Sequence, residues 1–166
     1  MKIRIVLIIA LIFFGINSLV IGQTLEWVSL GEAQEKAAQT GKKVFVFAEA
    51  EWCGYCKKMK KKVFPEPAVE ETMKKYFHSV KVDIESKEKI KFDGEMVSQR
   101  NFARRFRIQS TPTMIFIDSD GKILGTQPGY MRAEIFDSLL SYIGAEYYKK
   151  MGIKAYLKKQ GVNIEK

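Results

Sequence analysis

Two residues separate the only two cysteines of this chain, in the run Trp52-Cys53-Gly54-Tyr55-Cys56. At that spacing the sulfurs can close a small ring or share one metal ion. The flanking sequence favours the ring. Upstream, Lys43–Glu49 is a short apolar run with Val and Phe that reads as a buried strand. Downstream, Lys57–Phe64 holds good helix formers and no breaker before Pro65. Strand, turn and helix in that order put Cys53 at or just before the first helical turn. There, unpaired N–H groups and the positive end of the helix dipole stabilise a thiolate, the form that attacks disulfides.

The first 22 residues read as a targeting segment. Lys2 and Arg4 give a positive start, Ile5–Phe14 is an unbroken apolar run, and Gly15–Gly22 mixes in small and polar residues. This is the layout of a secretory signal peptide, with a cut expected between Gly22 and Gln23. An uncleaved membrane anchor is the alternative, but the apolar run is short against the roughly 20 residues a span needs. No cysteine lies in the segment, which excludes a lipid-modified cysteine at the cut. Export would put the mature protein where disulfides persist, in the periplasm or outside the cell.

Without residues 1–22 the chain keeps 26 basic and 19 acidic residues, a net charge of +7. No nucleic-acid motif accompanies the excess, so nucleic acid is not an expected partner. The one basic cluster is Lys57–Lys62. It reads as a solvated helix face, or as charge that draws an acidic partner toward the cysteines and helps hold Cys53 as thiolate.

The rest of the chain alternates helix and strand. Gln23–Val28 reads as an edge strand or extended lead-in. Ser29 precedes Glu32 by three, a capping-box pattern, and the helix it opens stops near Gly41. Beyond the cysteines, Pro65 and Pro67 interrupt the helix and Ala68–Phe77 resumes it. Ser79–Ile84 alternates as a strand, Glu85–Glu95 looks like a polar surface insertion, and Val97–Phe106 reads as helix. Met114–Ile117 is an apolar strand, Asp120-Gly121 the tip of a hairpin, Ile123–Gln127 the returning strand, and Arg132–Ile143 an amphipathic helix. This order implies an α/β fold, a central mixed sheet with helices on both faces. Residues 23–143 form its domain. Residues 144–166 form a C-terminal extension, one amphipathic helix interrupted near Gly152, that packs back on the domain or offers a docking surface.

Taken together, these residues resemble the thioredoxin-like superfamily, in its branch of exported thiol–disulfide oxidoreductases. The carriers are Trp52–Lys57 after a strand, Val82-Asp83 ending the next strand, Phe106–Pro112 leading into Thr113–Asp118, the Asp120-Gly121-Lys122 turn, and Gly129 before the last helix. The resemblance implies a thioredoxin fold, with Cys53 as exposed nucleophile and Cys56 as the buried resolving thiol. It implies a cis peptide bond at Pro112 that brings Thr111 against the cysteines and presents backbone to an extended substrate. Trp52 would shield the site and Gly54 would allow the turn. Tyr55 stands where the best-known reducing members have proline, at a position that tunes redox poise. Family members often carry a buried acid six residues before the first cysteine, where this chain has Phe47. Strand alternation points Glu49 to the same face as Phe47, so Glu49 is the candidate proton relay.

The implied activity is reduction or exchange of disulfides in exported proteins by a monomer. It needs no cofactor beyond the redox-active pair and draws electrons from a membrane donor. The alternatives are an oxidant or isomerase in the same compartment, and a non-catalytic peptide-binding or chaperone module. Intact cysteines argue against the module. A purely structural disulfide explains the spacing poorly, since so small a ring constrains little of the unfolded chain. A metal site needs more ligands than the pair and the sole histidine, His78, supply. Haem attachment through C-x-x-C-H is excluded because Lys57 follows Cys56.

Overall fold

The computed structural model describes residues 25–162. The expected signal segment, residues 1–22, lies outside them. Fourteen elements follow in order. They are β1 (Trp27–Val28), α1 (Leu30–Thr40), β2 (Lys43–Glu49), α2 (Gly54–Lys62), α3 (Pro67–Tyr76), β3 (Phe77–Asp83) and β4 (Lys89–Phe92). Then come β5 (Glu95–Ser98), α4 (Gln99–Arg105), β6 (Thr113–Ile117), β7 (Ile123–Pro128), α5 (Ala133–Gly144), a 3₁₀ turn (Tyr147–Lys149) and α6 (Ile153–Lys159).

Five strands make a mixed sheet in the order β1-β3-β2-β6-β7. β1 and β2 run parallel to β3, whereas β6 is antiparallel to both β2 and β7. β2 is central and buried on both faces, so its alternation sorts side chains between two cores. Phe45 and Phe47 face a core closed by α2, α3 and α5, where Met59, Met73, Phe116 and Phe136 pack. Val44 and Val46 face an aliphatic core closed by α1 and α4, with Leu30, Ala37, Val80 and Ile115. The α/β architecture expected from the element order is the one observed.

Local signals explain several helix ends. Ser29 caps α1 by accepting the Glu32 N–H, and Gly41 ends it in the left-handed region at φ 72°. Pro67 opens α3, where its missing N–H costs nothing.

Three expectations are corrected. The stretch 85–95 is no featureless insertion: with residues 96–98 it forms the β4–β5 hairpin, whose Phe92 and Val97 are buried against the aliphatic core. Val97 therefore belongs to a strand, and helix α4 starts at Gln99, capped by Ser98. Phe77 opens β3 rather than ending the preceding helix, because it pairs with Lys43 of β2.

The C-terminal extension is a 3₁₀ turn and the short helix α6, broken at Met151-Gly152, and it packs back on α5. Tyr156, Leu157 and Val162 are buried, Tyr156 stacks on Tyr142 at 5.3 Å, and the Tyr142 hydroxyl donates to the Met151 carbonyl at 2.8 Å. At Gly144 a Cβ would come within 2.4 Å of the Tyr76 ring, so glycine is what lets the end of α5 pass α3. Among the described residues no helix is long and apolar enough to cross a membrane.

Candidate active site

The site sits where β2 runs out. Glu49 ends the strand, Ala50–Trp52 turn the chain, and Cys53 is the N-cap of α2. Cys53 and Cys56 form a disulfide, with an S–S distance of 2.02 Å and Cα atoms 5.3 Å apart. The Cys53 Sγ also accepts the Cys56 N–H at 3.0 Å. The side chain of Cys53 thus fills the capping role that Ser or Asp usually plays. It faces a backbone dipole whose positive end favours negative charge on that sulfur.

The exposed nucleophile expected at Cys53 is corrected for this oxidised form. Cys53 is only 3% exposed and Cys56 fully buried, because the Cys53 side chain turns inward to bond its partner and cap the helix. Both sulfurs join the aromatic core beneath Phe47, Met59 and Phe64. What lies open is the rim: Trp52 is 65% and Tyr55 60% exposed. Trp52 is therefore a large apolar surface beside the pair, not a buried cover. Gly54 is the first residue of α2, its φ is not positive, and a Cβ there would meet nothing within 4 Å. The turn does not require glycine.

The pairing of β6 with β2 sets Thr113 against Ala48, and the pairing of β7 with β6 sets Pro128 against Thr113. The segments before β6 and after β7 therefore emerge at the same end of the sheet as the cysteines. The Thr111-Pro112 bond is cis, as the resemblance implied. Pro112 is buried and its carbonyl accepts the Gly129 N–H at 2.8 Å, which ties the two segments together. The Thr111 hydroxyl is buried with no hydrogen-bond partner among the described residues. After Gly129, Tyr130 reaches back to Tyr55, their ring centroids 5.6 Å apart, and Lys58 Nζ lies 4.5 Å from the Tyr130 centroid.

Glu49 and Phe47 share a face of β2. Phe47 is fully buried edge-on against Phe64 at 4.9 Å, so that position holds no charge. The Glu49 side chain, 15% exposed, is ion-paired with Lys60 of α2. Sequence reasoning reaches Lys60 only as part of the Lys57–Lys62 cluster and does not reach Tyr130. Lys60 lies four residues past Cys56, a spacing that places both on one side of a helix; Tyr130 follows the Gly129 already singled out. His78 is the second residue of β3, and its Nε2 meets Thr40 Oγ1 at 2.9 Å. Burial, then the neighbouring Lys42 and Lys36, push the imidazole below its ordinary pKa. Among the described residues no three His, Cys, Asp or Glu side chains come together to hold a metal ion.

Residues 30–144 match the thioredoxin-like domain family. The chain belongs to that family. Its α/β architecture is the thioredoxin fold. A thioredoxin-fold protein from Helicobacter pylori superimposes with a TM-score of 0.66 at 25% identity, over 73% of this chain and 85% of that one. A thioredoxin from Thermus thermophilus does so with a TM-score of 0.60 at 26% identity, over 72% and 87%. Among curated proteins, the thiol:disulfide interchange protein DsbD of Actinobacillus pleuropneumoniae serotype 5b is 31% identical over 119 residues, 69% of this chain. This thioredoxin-like chain spans only about a fifth of that relative, 19% of its length.

Proposed function

We propose that the chain is a thiol–disulfide oxidoreductase that reduces or exchanges disulfides of exported proteins through the Cys53/Cys56 pair. The observation that carries this is the seat of Cys53, which caps α2 with its sulfur on the Cys56 N–H. When the disulfide opens, that N–H and the helix dipole face a sulfur able to hold negative charge, and the thiolate is favoured.

The Cys53 thiolate attacks one sulfur of a substrate disulfide. The substrate S–S bond breaks, a Cys53–substrate disulfide forms, and the leaving sulfur takes up a proton. Cys56, one helical turn along, then loses its proton and attacks the Cys53 sulfur. The mixed disulfide breaks, the second substrate thiol leaves, and the Cys53–Cys56 bond is restored. Two electrons have passed to the substrate, and a dithiol donor returns them before the next cycle. Thr111 offers backbone beside Pro112 to an extended substrate segment, as a strand edge does, and Trp52, Gly54 and Tyr55 form the rest of the approach.

Cys56 is fully buried, so its proton needs an acceptor. We assign that part to Glu49, which ends β2 on the face of Phe47 and is tied by Lys60 to the helix that carries Cys56. Glu49→Gln is expected to alter the pH dependence of exchange; an unaltered profile removes Glu49 from the mechanism.

Residues 1–22 act as a cleaved secretory signal, and residues 23–166 work as a monomer in the periplasm or outside the cell, supplied by a membrane electron donor. Sequencing the N-terminus of the exported protein tests the cut at Gly22. The decisive experiment on the activity pairs insulin reduction by wild type and Cys53→Ser with the reduction potential of the pair in glutathione buffers. A potential well below that of glutathione fits a reductant, and one well above it fits an oxidant or isomerase. No exchange with any dithiol would falsify the assignment.

A further inference from the structure

The five lysines of α2 differ in what explains them. Lys60, Lys61 and Lys62 lie in the last turn, where positive charge complements the helix dipole. Lys60 also has its own carboxylate, Glu49. Lys57 and Lys58 are the fourth and fifth residues of the helix, next to its positive end, and no acid stands in the first turn. Stability alone would put Asp or Glu there. Neither lysine has an ion-pair partner among the described residues. Both are exposed, on the turns that follow the capping sulfur.

Lys58 is nevertheless held. Its ammonium sits over the ring of Tyr130, whose ring meets Tyr55, so a cation is fixed on an aromatic ledge beside the disulfide. Tyr55 and Trp52 leave that ledge open to solvent. Exposed aromatics with unpaired lysines form a surface complementary to an extended segment that carries carboxylates.

Resting on the oxidoreductase reading, we propose that this rim selects its protein partners: it favours disulfides flanked by acidic residues, with Lys57 and Lys58 supplying the charge and Tyr130 positioning Lys58. The rim's charge meets the partner's carboxylates before sulfur reaches sulfur, so the preference is expressed in the encounter and is screened by salt.

The test uses the reduced mature protein and three disulfide peptides, identical except for paired Asp, Gln or Lys residues flanking each cysteine. The second-order rate constant for reduction is measured at low and high salt. The expected result is an Asp-to-Lys rate ratio of about tenfold or more at low salt that shrinks as salt is added. Lys57→Gln/Lys58→Gln is expected to collapse that ratio, and Tyr130→Leu, which removes no charge, to lower it less. The ratio matters because any change in the acidity of Cys53 alters all three rates together and cancels. Equal rates for the three peptides, or a ratio that the double replacement leaves intact, overturn the proposal while leaving the oxidoreductase standing. A protein that reduces none of the peptides overturns the proposal, and one that also exchanges with no dithiol overturns the oxidoreductase assignment with it.

Discussion

Each end of β2 carries a charge that pairs across the sheet's boundary, and the two ends are built oppositely. At the start of the strand the Lys43 side chain is 6% exposed and reaches Asp118 at 3.4 Å and Glu146 at 3.2 Å. Glu146 is bound a second time, by Lys149 at 2.8 Å. This cluster ties the central strand to the β6–β7 turn and to the C-terminal extension, and its charges are matched. At the other end Glu49 holds Lys60, but the surroundings are left open: two exposed aromatics, and lysines with no carboxylate partner among the described residues. One strand thus divides the labour. Its closed end pairs its charges to hold the fold together, and its open end leaves aromatic surface and lysine charge exposed.

That division predicts effects that separate cleanly. Cys53→Ser gives the largest: insulin reduction drops to background, yet the unfolding free energy changes by no more than about 2 kcal/mol, because so small a ring removes little chain entropy. A loss of fold in denaturant titration would show that the open end bears on stability after all. The reverse pattern is expected from Leu157→Ala. This residue buries α6 against the domain, and truncation should cost about 2–4 kcal/mol with the rate of disulfide exchange unchanged. Lys43→Met comes next, at about 1–2 kcal/mol. The cost stays below that of breaking a fully buried pair because Asp118 and Glu146 keep part of their hydration. Exchange kinetics that slowed in either variant would join the two ends and break the comparison.

The open end was largely legible in the sequence, because its logic is local. Cys53 and Cys56 announce themselves by spacing, a strand before and a helix after, and no distant residue is needed to place Cys53 at the cap. What escaped was assembled from afar. Tyr130 meets Tyr55 across 75 positions, and nothing in the linear order reports that contact. The β4–β5 hairpin was missed despite a legible signal. Asp93-Gly94 joins Phe92 to Glu95, with both turn residues at positive φ (49° and 81°), as a two-residue hairpin demands. The same dipeptide at Asp120-Gly121 is legible because the strongly apolar strand β6 precedes it. Around Asp93 the strands are short and charged, and charge hid the alternation. Phe77 and Val97 were assigned to helices because apolar residues at the end of a helix and the start of a strand look alike when only a few residues are counted.

The smallest expected effect also discriminates between the ends by pH. The hydrogen bonds from Lys149 and then Lys43 hold the Glu146 carboxyl below its ordinary pKa of 4.5. A carboxylate depressed in the folded state stabilises the fold fully above the unfolded value, and that contribution is lost as pH falls through the folded one. The closed end should therefore weaken only below about pH 4.5, as a fall in melting temperature that Glu146→Gln flattens. His78, on β3, behaves as the opposite charge type. Burial lowers its pKa from the ordinary 6.5, so the unfolded chain takes the proton first, and stability declines on acidification from about pH 6.5 downward. Melting curves of wild type, Glu146→Gln and His78→Gln across pH 3–8 should resolve two windows, about 6.5 and about 4.5. Neither replacement is expected to move the pH profile of exchange, which we assign to the other end of β2. If Glu146→Gln moved that profile, the charges at the start of β2 would be acting on the chemistry at its far end.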